Sequence, residues 1–454
     1  MNGIKKIIYK YSPLYFLELF AGREGDKVLK DKYGPIYSDL LYELSMKTDG
    51  NFDDEKRIQQ KELQNLIRHS SENSPFYKEF YKGVDLNSIR TVADLSKLPI
   101  LERELVQQYI GEMHTVEESS AAAFQTIDSE GVPLKFLWTR EDVQKQRAFI
   151  DFFKMQHGIR NKKMKQATFS PKRFISGNQQ KKIFWRSHSI GNQRYYSNYY
   201  CTEENASSYI RNLNEFQPVA IDGRLPAIYG LARYINKAQL KLSFTPAAIF
   251  LTDETMDPLQ KKEIERAFDC PVRKLFAASQ LLPLIAECPK GNLHYHPRSG
   301  IIETAEDGEM IVTNFTSRGT PLIRYRTEEY LDLETGGITC TCGSNLPVVN
   351  KRKKPNIGYL RTKSGAVVKE PYIEIRCKEF AECINKIQFV QNKMEVVDVY
   401  IEAKENYTNA VTEHIHNGLQ STFGQDMKFN IRIVEQMPER PSRHFQLIIN
   451  NLAN

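Results

Sequence analysis

The strongest constraint on folding lies between residues 247 and 277. Ala247-Ala-Ile-Phe-Leu251 is a five-residue apolar run of buried-strand type. A helical pattern follows over 258–268, and Val272 to Ala277 reads as a second strand. Strand, helix and strand in this order predict an α/β core, because a parallel pair needs a crossover between its strands. At 454 residues the chain is about three times the usual ~150 residues of a domain, so two or three lobes are expected. Its 41% hydrophobic and 26% charged residues suit a globular protein and exclude wholesale disorder.

Other segments mark the organisation. Residues 55–82 read as helical, with Leu63, Leu66 and Ile67 on one face, and Ser74-Pro75 should interrupt them. Thr139 with Asp142 three residues on is a capping pair for a helix over 141–156. Residues 301–335 change character. Met310–Asn314, Leu322–Arg326 and Tyr330–Leu333 read as three strands of a β-rich subdomain, with a turn at Asp307-Gly308-Glu309. Lys351-Arg-Lys-Lys-Pro355 is a charged, proline-ended link, which predicts one domain over 1–350 and another over 351–454.

The net charge of +7 is mild and gives no reason to expect a nucleic-acid partner. From Phe152 to Thr202, however, there is no Asp or Glu, while Lys154, Arg160, Lys162, Lys163, Lys165, Lys172, Arg173, Lys181, Lys182, Arg186 and Arg194 all fall there. A solvated basic face is the plain interpretation; a surface for phosphate, anionic polymer or anionic lipid is the sharper one. No apolar run reaches the ~18 residues of a membrane span. Ile4, Ile7, Ile8 and Tyr11 follow helical spacing, with Lys5, Lys6 and Lys10 between them. That segment either docks on its own domain or lies on a membrane surface as a peripheral contact. Glu18 in the following apolar run argues against a signal peptide.

Seven cysteines, an odd number in a long chain, argue for a reducing cytoplasm over a disulfide framework. Cys288 and His294 flank a Gly-containing turn, and Cys340-Thr-Cys342 adds two sulfurs. Three Cys and one His can close a tetrahedral, structural zinc site. The spacing leaves open four unrelated residues, with His296 as the alternative nitrogen. Cys201, Cys270, Cys377 and Cys383 read as packing residues.

Ile311-Val-Thr-Asn314 followed by Pro321-Leu-Ile-Arg-Tyr-Arg-Thr327 resembles the phenylacetate–CoA ligase group of the adenylate-forming superfamily, with its CapK-like branch nearest. Glu72-Asn-Ser-Pro-Phe-Tyr77, Leu98-Pro-Ile-Leu101, and Pro133–Phe136 with Thr139–Asp142 extend the resemblance along most of the chain. It implies a large α/β nucleotide domain and a small C-terminal α+β lid, with the pocket at their junction. It also implies a structural zinc on Cys288, His294, Cys340 and Cys342. Such ligases activate a carboxylic acid with ATP and pass the acyl group to a thiol, usually coenzyme A.

The motifs that would serve ATP depart from the family. The phosphate loop reads Thr126-Ile-Asp-Ser-Glu-Gly-Val-Pro133. Ser129 and Gly131 match, but Asp128 and Glu130 bring carboxylates. One carboxylate ~4 Å from a phosphate charge costs about 4 kcal/mol at an effective dielectric of ~20. The adenine-side motif keeps Ser279 but has Gln280 where relatives carry a magnesium-binding glutamate. Glu329 replaces the ribose-binding aspartate, only Arg352 survives of the hinge motif, and His444 takes the place of the adenylation lysine. These departures count against ATP, AMP and CoA as cofactors and imply a repurposed or noncatalytic homologue. It would serve a bacterial surface-polysaccharide or specialised-metabolite pathway through partner proteins of that pathway. The alternative is an active ligase for a small carboxylic acid or acyl substrate. Its catalytic candidates are Glu329, His444 and Gln280, with Glu328, Asp128 and Glu130 completing an acid/base set.

Overall fold

The structure is a computed structural model. It describes residues 31–46, 52–127, 133–170, 183–188, 192–252, 256, 258–276, 282–306, 308–333, 340–351, 359–363, 367–369, 373, 377, 380, 382–424, 426–435, 437 and 447–452. The amphipathic pattern at 4–11 lies outside these residues. The chain divides into two compact units, one of residues 1–126 with 134–351 and one of 127–133 with 352–454.

The first unit is built on a sheet with twelve strands among the described residues. In chain order they are β1 (Gln166–Ser170), β2 (Trp185–His188), β3 (Gln193–Ser197), β4 (Ala220–Gly223), β5 (Ala248–Thr252), β6 (Val272–Phe276), β7 (Ile285–Glu287), β8 (Leu293–Tyr295), β9 (Gly300–Thr304), β10 (Glu309–Asn314), β11 (Tyr325–Leu333) and β12 (Val348–Lys351). Their spatial order is β9-β10-β11-β12-β8-β7-β6-β5-β4-β1-β3-β2. From β6 through β5, β4 and β1 to β3 the pairing is parallel, and from β6 to β9 it is antiparallel. The strand–helix–strand expectation at 247–277 matches β5, α7 (Pro258–Phe268) and β6.

Among the described residues four buried apolar clusters pack on this sheet, two of them large. One packs α2 (Phe52–Asn73) and α3 (Pro75–Phe80) through Leu63, Leu66, Ile67 and Tyr77 against Val312 and Ile323. Ser74 ends the long helical stretch as expected, because its hydroxyl accepts from the Tyr77 N–H and Pro75 opens the next helix. The other core packs α5 (Ala206–Phe216), α6 (Leu225–Lys237) and α7 against Ile221, Ile249 and Val272. Near-continuous apolar strands such as Ala248–Leu251 are what a parallel sheet covered on both faces requires.

One expectation is corrected. Leu322–Arg326 and Tyr330–Leu333 are not two strands: β11 is a single strand from Tyr325 to Leu333. Arg324 stands outside it at φ 53°, with its N–H on Thr313 Oγ1 (3.1 Å) and its guanidinium on Glu303 (3.1 Å). A left-handed residue cannot continue a pleated strand, so pairing starts one residue later. Composition alone does not carry that information.

The second unit has a four-stranded sheet, ordered β15-β14-β13-β16, from β13 (Ile384–Lys393), β14 (Val396–Ala403), β15 (Lys428–Val434) and β16 (Ile448–Asn450). Helix α8 (Asn409–Phe423) adds Ile415, Leu419 and Phe423 to its core. Gly418 lies in the interior of α8, and a Cβ there would meet nothing within 4 Å. Glycine costs about 1 kcal/mol relative to alanine inside a helix. Gly418→Ala is therefore expected to raise the melting transition of this unit by several degrees. A thermal melt with an unchanged or lowered midpoint would contradict this.

Candidate functional site

Two tight turns build the sulfur-rich site. Cys288 follows β7, and its N–H and carbonyl close a turn with the Asn292 carbonyl (2.8 Å) and the Gly291 N–H (2.9 Å). The second turn closes through the Gly343 N–H on the Cys340 carbonyl (2.9 Å). Gly291 and Gly343 have φ of 86° and 83°, values that favour glycine. Pairing of β8 with β12 places His294 opposite Val348 and joins the turns across 52 residues of chain.

The donor atoms of Cys288, His294, Cys340 and Cys342 lie within 4.8 Å of one another. Cys288 and Cys340 sulfurs are 4.0 Å apart, and Cys342 Sγ is 3.6 Å from His294 Nε2. A metal about 2.3 Å from each sulfur sets neighbouring sulfurs roughly 3.8 Å apart in a tetrahedron, so the set fits zinc. His294 Nδ1 donates to the Leu346 carbonyl (3.0 Å), which turns the Nε2 lone pair toward the sulfurs. Burial raises the Cys340 thiol, but the Cys342 N–H and the Asn292 amide outweigh it and bring it down to about 6. Burial and the neighbouring sulfurs raise Cys342. A stabilised thiolate is the form a metal needs. His296 is not part of the set: its Nδ1 accepts from the Arg298 N–H (3.2 Å), and its ring packs on Phe149 and Phe152.

The remaining cysteines divide. Cys270 is buried in the core of the first unit, and Cys201 is half-buried and packs against the same core, as packing residues do. Cys377 is half-buried and packs against the apolar core of the second unit, whereas Cys383 is half-buried without being part of that core.

Of the ATP-motif positions, Glu329 lies in β11, half-buried, with its N–H on Thr327 Oγ1 (3.2 Å). Arg324 and Arg326 are held by Glu303 and by Glu309, the latter at 2.6 Å. Ser129, Gly131, Ser279, Gln280, Arg352 and His444, with Asp128 and Glu130, lie outside the described residues.

The basic stretch is partly internal. Lys154 is buried, 2.6 Å from Asp222 and 3.2 Å from Gln166. Lys162 lies over the Tyr33 ring (4.4 Å), and Arg194 over Phe216 (4.2 Å). Lys154 belongs to the interior rather than to an open anionic-polymer surface, whereas Lys162 is exposed and Arg194 half-buried. Lys172, Arg173, Lys181 and Lys182 lie outside the described residues. Sequence reasoning missed the acceptors, because Asp151 and Asp222 fall before and after the stretch. Tyr37 of α1 (Pro35–Met46) donates to Asp151 (3.0 Å) in the same buried region. No helix among the described residues is long and apolar enough to cross a membrane.

A family model described as the CapK C-terminal domain matches residues 360–451. Protein CapK of Staphylococcus aureus is 29% identical over 98% of this chain and 99% of its own length. Among solved structures, 2-hydroxyisobutyryl-CoA ligase in complex with 2-HIB-AMP and CoA, in the thioesterification state, matches with a TM-score of 0.59 and 13% identity. That match covers 88% of this chain and 90% of the ligase. An open conformation of the same ligase matches with a TM-score of 0.54 and 14% identity, over 87% of this chain and 91% of the ligase. At such identities the structural likeness establishes the fold, and a fold does not carry its chemistry with it.

Proposed function

We propose that this chain, which is similar to CapK along 98% of its length and has the fold of the adenylate-forming CoA ligases, has lost ATP-dependent acid adenylation. It serves a cytoplasmic step of a bacterial surface-polysaccharide or specialised-metabolite pathway as a repurposed or noncatalytic protein. One observation carries the reading: the departures from the nucleotide motifs coincide. Asp128 and Glu130 enter the phosphate loop, Gln280 replaces a metal-binding carboxylate, Glu329 replaces the ribose acid, and His444 replaces a fixed cation. A neutral imidazole is a weak substitute for lysine near neutral pH. By contrast, the residues that shape the protein persist. Cys288, His294, Cys340 and Cys342 would hold a zinc whose four ligands leave no position for substrate, so its role is structural.

Calorimetry and thermal melts with ATP and magnesium, on zinc-loaded protein, test this. A ligand at 100-fold its dissociation constant stabilises by about 2.7 kcal/mol, a shift a melt detects. The expected result is no heat, no shift at millimolar ATP, and no release of AMP or pyrophosphate with any carboxylic acid. Binding with AMP release would overturn the reading in favour of an active ligase. Glu329→Ala and His444→Ala would then be the variants that test the acid/base assignment.

A further inference from the structure

We propose that a polar recess between one face of α2 and the turn carrying Arg318 binds a small hydroxylated phosphate ester. This inference is independent of the nucleotide motifs. Asn65, Arg68, His69 and Glu72 recur at helical spacing along α2, and Arg318 faces them from the turn between β10 and β11. Together they line a recess of about 390 Å³.

Arg318 is presented by a backbone that has little freedom. Its N–H donates to Asp142 Oδ1 (2.8 Å), and the next N–H, of Gly319, donates to Asp142 Oδ2 (3.0 Å). The Arg318 carbonyl accepts from Thr115 Oγ1 (2.6 Å), and His69 Nε2 lies 3.3 Å from it. A Cβ on Gly319 would stand 2.4 Å from the Leu137 carbonyl oxygen, so the turn cannot swell. The turn therefore fixes where the arginine side chain begins, which lowers the entropy lost when it engages a ligand.

The side chains supply complementary chemistry. Arg68 Nη2 donates to Asn65 Oδ1 (3.0 Å), a bond that leaves most of its fork available. Arg318 Nη1 is 3.7 Å from Glu141, a carboxylate that Lys145 already holds at 2.8 Å. Two guanidinium forks match phosphate oxygens, which accept two parallel hydrogen bonds from each fork. Glu72 repels a bare anion, yet it and Asn65 can receive hydroxyl hydrogens. A phosphate with hydroxyls on its carrier satisfies both halves of the recess; inorganic phosphate satisfies one.

Calorimetry on the full chain with glycerol 3-phosphate, inorganic phosphate and glycerol distinguishes these. The ester is expected to bind more tightly than inorganic phosphate, and glycerol not at all. Arg68→Gln and Arg318→Gln should each weaken the ester about tenfold or more, the scale of a hydrogen bond to a charged group. Glu72→Gln removes a charge that repels both anions and keeps an accepting oxygen, so it should strengthen both ligands, a gain that a general loss of structure would not produce. Melting curves of each variant confirm folding. Ester binding that survives the double arginine variant, or no ester binding by the unaltered protein, would overturn the proposal.

Discussion

Purified with metal available, the protein is expected to hold one zinc per chain, and Cys288→Ser or Cys340→Ser is expected to lower its melting temperature by roughly 5–10 °C. The reason is topological. The two sulfur-bearing turns leave the sheet from β7 and from the chain before β12, and the metal would tie them to His294 in β8. Structural zinc contributes about 10–16 kcal/mol of apparent folding free energy in peptides that have no other core. Here β7, β8 and β12 are already paired with neighbours, so a loss of about 5 kcal/mol is the fitting scale, at ~1–2 °C per kcal/mol for a unit well above ~250 residues. A strong chelator should produce the same shift in the unaltered protein and little in the variants. Metal analysis that finds no zinc, or cysteine variants that melt with the unaltered protein, would sink the assignment.

Asp142→Ala is expected to destabilise the first unit by about 3–6 kcal/mol, far more than loss of a helix cap. Asp142 is fully buried at the start of α4 (Arg140–Gln156), where its Oδ2 accepts from the Thr139 N–H at 2.8 Å. The same carboxylate accepts from Arg318 and Gly319, 176 and 177 residues along the chain. Truncation strands three backbone donors, each costing about 1–3 kcal/mol when buried without a partner. Thr139→Ala removes only the reciprocal half of the capping box and should cost about 1 kcal/mol. Denaturant titration separates the two: both midpoints fall with slopes unchanged, and the Asp142 shift is several times larger. Equal shifts would mean that the carboxylate serves only the helix.

Asp142 also shows how far the sequence reaches. Thr139 and Asp142 are three residues apart, so their mutual cap is a local pattern that can be read directly. The second use of Asp142, on a turn far along the chain, has no local signature. The four ligand residues divide in a similar way. Cysteine and histidine chemistry left His296 open beside His294, the family resemblance put His294 first with Cys288, Cys340 and Cys342, and the pairing of β8 with β12 sets it beside the sulfurs. For the nucleotide motifs the departures are matters of residue identity, legible without coordinates.

Where the sequence misled, the cause was a contact distant along the chain. Lys154 belongs to a stretch without acids, yet α4 brings it to the half-buried Asp222 in β4, and the lysine is buried. Arg324 lies in an apolar, strand-like run, yet Thr313 and Glu303 hold it in a left-handed turn. By itself the sequence determined periodicity, caps, the α/β alternation and the chemistry present, because those depend on neighbours within a few residues. The tertiary structure decided which charges are spent in the interior, which imidazole meets the sulfurs and where a strand begins. Those outcomes depend on burial and pairing between residues tens to hundreds of positions apart, where the cost of an unpaired buried group outweighs local preference.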